Sequence, residues 1–145
     1  MRKIVALAIV VAVSTVVLGE DKKPTLDGTY VLLSVEQGGM KVPDELLKKQ
    51  SEEDRTVVIK DGKMFQPNKK DKAPLEIKLD ATKTPAEIDA KETKGDKPEN
   101  SYGIYKLEGD TLTICMVEDG KASDRPKEFK TTKDSKAVLM IFKKK

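Results

Sequence analysis

The stretch SYGIYKLEGDTLTICMV, residues 101–117, decides the fold class of this chain. Ser101 to Leu107 and Thr111 to Val117 are rich in β-branched and aromatic residues. They flank Glu108-Gly109-Asp110, and a glycine turn between two such runs predicts a β-hairpin. Folding the ribbon about Gly109 sets Leu107 opposite Leu112, Tyr105 opposite Ile114 and Gly103 opposite Met116. Strand side chains alternate between faces, so those six share one side while Lys106, Thr111 and Thr113 share the other. One face is apolar and requires a core to cover it.

The same pattern extends outward along the chain. Thr56 to Ile59 and Lys63 to Phe65 flank Asp61-Gly62, a second hairpin signal. Leu75, Ile77 and Leu79 alternate with Glu76, Lys78 and Asp80, as a half-buried strand does. Ala86 to Lys91 is a weaker strand centred on Ile88. Thr29 to Glu36 reads as a strand that Gly38-Gly39 ends. Glu128 to Thr131 and Ala137 to Phe142 are expected to complete the set, and the last lacks alternation, as a strand covered on both faces would. Pro43 to Gln50 carries acids at its start and lysines at its end, matching a helix dipole, and predicts one short helix after the first strand. Pro67 to Ala73 and Thr93 to Asn100 are polar and turn-prone, and read as exposed loops. About eight short, regularly spaced strands predict an all-β antiparallel barrel or sandwich.

The first nineteen residues bear on location. Arg2-Lys3, an apolar run from Ile4 to Leu18 and the exit Leu18-Gly19 before Glu20-Asp21 have the layout of a secretory signal peptide. The run is short for a membrane span, and no cysteine follows Gly19 to accept a lipid. Residues 1–19 are therefore expected to be a leader, 20–25 a short tether, and 26–145 a single domain. The expected protein is exported to the periplasm or medium, monomeric and without a stable membrane anchor.

Composition excludes several chemistries. The chain has no histidine, which removes imidazole-based triads, the usual zinc sites and a switch near neutral pH. Cys115 is its only cysteine, so no internal disulfide supports an exported fold. Arg2 and Lys3 contribute two of the three excess positive charges, so the remaining chain is nearly neutral and lacks the basic excess of a nucleic-acid binder. No nucleophile–base pair stands out, so an enzyme is not expected, nor a cofactor or a bound metal. Cys115 between Ile114 and Met116 lacks the cationic setting that activates a thiol and reads as a space-filling residue. Glu52-Glu53-Asp54 and Glu118-Asp119 with Asp124 read as solvated turn acids, and Lys69-Lys70 with Lys72 and Lys143-Lys144-Lys145 as edge-protecting or solubilising lysines.

Leu26-Asp27-Gly28-Thr29-Tyr30, the segment after Val42-Pro43, Leu79 to Asp89, Gly103 to Cys115 and Arg125-Pro126-Lys127-Glu128-Phe129 occur in an order that resembles an uncharacterised domain family abundant in exported proteins of planctomycete bacteria. The resemblance covers roughly residues 26–143. It implies a lipocalin-like antiparallel barrel and no particular activity. That family carries Gly-Thr-Trp where this chain has Gly28-Thr29-Tyr30. The resemblance thus implies that Tyr30 plugs one barrel end beneath a basic residue of the final strand, with Lys143 the nearest candidate and the first and last strands paired. Eight-stranded barrels are either filled by side chains or hold one small ligand. The scarcity of aromatics favours a filled or narrow interior, and Tyr30, Tyr105 and Met116 are the residues expected beside any cavity. The expected function is non-enzymatic binding of a small apolar ligand. The alternative is a solid-core protein-interaction or structural domain of the cell envelope.

Overall fold

A computed structural model describes residues 26–93 and 99–145; the expected leader and tether lie outside them. Nine antiparallel strands occur in the order β1 (Gly28–Gln37), β2 (Met40–Lys41), β3 (Thr56–Lys60), β4 (Lys63–Phe65), β5 (Leu75–Asp80), β6 (Glu87–Glu92), β7 (Asn100–Glu108), β8 (Thr111–Val117) and β9 (Ala137–Lys144). Each strand from β3 to β9 bonds the next, and β1 bonds both β3 and β9. The result is a closed eight-stranded barrel, with β2 as an extra strand on β1. Closure removes the exposed edges that an open sheet would present.

Both hairpins form, and that of residues 101–117 takes the expected register. Leu107 faces Leu112, Tyr105 faces Ile114 and Gly103 faces Met116. Asp61 and Gly62 both take positive φ, as a two-residue turn twisted to match the flanking strands requires. Gly103 has a packing reason to be glycine. A Cβ there would lie 2.4 Å from the Cys115 carbonyl oxygen and 2.6 Å from the Met116 Cβ.

Gly38-Gly39 ends the first strand, as expected, and both residues, at positive φ, turn the chain back into the short β2, pairing Gln37 with Met40. Two other expectations need correction. The helix, α1, spans only Asp44–Lys48 and follows β2 rather than β1 directly. Residues 128–131 form no strand, because they lie on the barrel's outside with no strand partner.

Inside the barrel, Tyr30, Val57, Ile59, Ile88, Ala90, Tyr105, Leu112, Ile114, Met116 and Phe142 form one buried cluster, with Leu26 across one end. A second cluster lies on the outside of the wall, where Ile104, Cys115, Val117 and Ala137 are covered by Phe129 and Leu139. The segment 118–136 makes this second layer, crossing the wall as a strap. Arg125 anchors its first half by donating from Nη1 to the carbonyls of Ile88 (3.2 Å) and Gly103 (2.8 Å) and pairing with Glu87 and Asp89. Thr131 anchors its second half, donating to Glu36 (2.7 Å) and accepting from the Gly39 amide (3.0 Å). β8 is consequently buried along Leu112–Val117 on both faces. The two-sided cover expected of the last strand belongs most fully to its neighbour, since β9 is only half-buried along Val138–Ile141.

Candidate functional site at the barrel mouth

The two barrel ends are built differently. At one end Leu26 lies across the interior, and the fully buried Tyr30 ring stands beneath it, its hydroxyl donating to the Leu26 carbonyl at 2.7 Å. A phenol so placed satisfies both halves of its chemistry, ring in the core and hydroxyl on a buried acceptor. Burial, and secondarily the Asp27 carboxylate, pushes the Tyr30 hydroxyl pKa up. Tyr30 pairs across the ladder with Lys144, whereas Lys143 stands opposite Val31. The basic residue opposite the plug is therefore Lys144. A recess of about 630 Å³ at this end lies against Leu26 and between the turns at Asp61-Gly62 and Asp80–Thr82.

The opposite end is a funnel of about 520 Å³. Its shape follows from strand length. β4 has three residues and joins β5 through only two pairs, Lys63–Glu76 and Met64–Leu75. The wall is low on that side, and the inward-facing Met64 and Leu75 remain half-exposed although they pack on the interior cluster. With Val57 they form an apolar floor continuous with the core. Above it stand Glu92, Glu99, Glu118 and Asp71, with Lys72 the one basic residue of the lining among the described residues.

Local backbone bonds fix this lip. The Glu92 amide donates to the Glu99 carbonyl at 2.9 Å, and the Gly120 amide donates to the Asn100 carbonyl at 3.2 Å. They draw the ends of β6, β7 and β8 together. Among the described residues no His, Cys, Asp and Glu side chains form a group of three or more able to hold one metal ion.

The three residues singled out in the sequence all enter the interior cluster, and the funnel lining is made of other residues. Tyr30 is the plug. Tyr105 is buried toward the same end, where burial and then the Asp80 carboxylate raise its pKa. Met116 is buried two residues before Glu118 on the strand that reaches the lip. Glu118 is an exposed turn acid, as its sequence context implies; that it lines the same funnel as Glu92 and Glu99 follows only from the closed barrel. Within the strands, Glu92 alone has a parity signal, continuing the inward series Ile88, Ala90.

Cys115 is fully buried under the strap, its thiol 3.8 Å from the Lys130 carbonyl. Burial raises its pKa, the opposite of what a reactive thiolate needs. No helix among the described residues is long and apolar enough to cross a membrane. Neither a family model nor a curated protein nor a solved structure matches the chain.

Proposed function

We propose that this protein is an exported, non-enzymatic binding barrel that holds one small, largely apolar molecule in the funnel at its open end. The observation that carries the reading is the pairing of a shut end with an open one. Leu26 and Tyr30 close the interior, while Val57, Met64 and Leu75 present core-type side chains to a cavity of about 520 Å³. That size lies within the range of about 300–1,000 Å³ usual for small-molecule sites. Resemblance to exported planctomycete domains and the leader-like N-terminus support work outside the cytoplasm.

Native mass spectrometry of protein purified from its own host tests this reading directly, with a retained small molecule as the expected result. An apolar fluorophore such as N-phenyl-1-naphthylamine should also bind one per chain. Ser101→Phe, which places a ring in the funnel from an inward, half-exposed position, should abolish that binding without moving the urea midpoint. Absence of both a retained molecule and probe binding would favour the solid-core interaction domain.

A further inference from the structure

Resting on the funnel reading, we infer that its ligand is a compact aromatic ring system, and that the packing beneath the funnel turns away an extended hydrocarbon chain. Ala90 and Ser101 pair across β6 and β7, and Ser101 lines the funnel. Two residues further toward the closed end, Ile88 pairs with Gly103 and Gly103 with Met116. Ile88 has no exposure and Met116 only 7%. At Gly103 a single added carbon would meet the Met116 Cβ at 2.6 Å and the Cys115 carbonyl oxygen at 2.4 Å. Deeper still, Tyr30, Leu112 and Ile114 are also without exposure. An interior filled in this way has the density of an organic crystal and gives a chain no passage. The funnel is a shallow, blind seat.

The lining favours a ring on separate grounds. Val57, Ala73 and Leu75 reward any apolar surface. Met64 and Phe65, both half-exposed in the lining, are selective. A thioether sulfur and an aromatic ring each attract aromatic partners beyond the area they bury. A rigid ring also loses little internal freedom in a shallow seat, whereas a chain would have to coil there and give up freedom at every bond.

Two probes with the same number of carbons and a single hydroxyl, 1-naphthol and 1-decanol, separate the classes when titrated calorimetrically into the full chain at neutral pH, below their solubility limits. Decanol has the larger apolar surface, so area burial alone would make it the tighter ligand. The ring class reverses that order, and naphthol should bind at least about tenfold tighter. Met64→Leu with Phe65→Leu keeps the lining apolar and close to its volume; it should remove most of the preference and leave decanol unchanged. Equal binding, or tighter decanol, would overturn the ring class and leave the funnel intact as a binding site. A preference that survives the double substitution would overturn the role of Met64 and Phe65. Failure of both probes to bind would overturn the funnel reading itself.

Discussion

At the scale of single residues, Tyr30 carries the largest expectation. Truncating a fully buried ring leaves a cavity, so Tyr30→Ala should cost about 3–5 kcal/mol in urea unfolding. Such a loss is a large share of the 5–15 kcal/mol or so that usually holds a domain together. Tyr30→Phe keeps the ring but strips the Leu26 carbonyl of its donor, and an orphaned buried acceptor costs about 1–3 kcal/mol. A near-neutral phenylalanine variant would show that Leu26 finds water and that the plug is looser than its geometry. Tyr30 was legible because one position in a known opening motif implied it. The acids of the lip were not, because Asp71, Glu99 and Glu118 are exposed residues outside the strands and resemble any solvated turn acid until barrel closure sets them beside the low wall. That wall is set by residues 63–76, far away in sequence from Glu118.

Among the elements, the strap shows where reading by pattern fails. Phe129 and Thr131 are spaced like alternating strand residues, yet both bury against the outside of the barrel without a strand partner. Phe129 lies on the outer cluster under Lys106, whose ammonium is 4.9 Å from its ring centre, and Thr131 holds Glu36 and Gly39. The hairpins were legible because their turns are local. The strap is specified by contacts between distant segments, and β2 is a two-residue strand too short to leave a pattern. Arg125 is its principal anchor, so Arg125→Met should free the first half of the strap and expose the Cys115 thiol. The expected result is faster labelling by a thiol reagent, with a stability loss of about 1–3 kcal/mol. Arg125→Lys should recover only part of the protection, since one ammonium cannot reach two carbonyls and two carboxylates as a planar fork does. Labelling unchanged in Arg125→Met would mean that Phe129 and Thr131 hold the cover alone. Gly103→Ala belongs with these variants. Its methyl would press on the Cys115 carbonyl and the Met116 side chain, and overpacking of this kind costs about 1–3 kcal/mol or more.

For the whole molecule, closure of β1 on β9 shuts the Tyr30 and Tyr105 rings inside the barrel while the strap covers Cys115 on its outside, and this sets how stability responds to pH. Tyr30 and Tyr105 are both raised above their ordinary value of 10.0, and Cys115 above 9.0, with desolvation the largest cause in each case. A group whose folded pKa is raised binds its proton more tightly in the native state. Above the unfolded pKa the open chain releases the proton while the barrel retains it, so the unfolded state is favoured as pH rises. The stabilisation is fully present below about pH 9 and is lost as pH climbs through the raised values, first at the thiol and then at the two phenols. On the acid side, Glu52 is lowered by its bond to Lys145 and Asp80 by its bonds to Thr82, but both are solvent-exposed and contribute little. Without histidine no folding transition is tied to the region near pH 6.5. Urea midpoints should therefore be level from about pH 6 to 8.5 and fall steeply above it. Cys115→Ala should remove the first part of that fall, and Tyr30→Phe should flatten its later part. A midpoint that stays constant to pH 11 or so in the parent chain would mean that the thiol and both phenols ionise freely in the folded state, which is incompatible with a barrel closed around the phenols and a strap laid over the thiol.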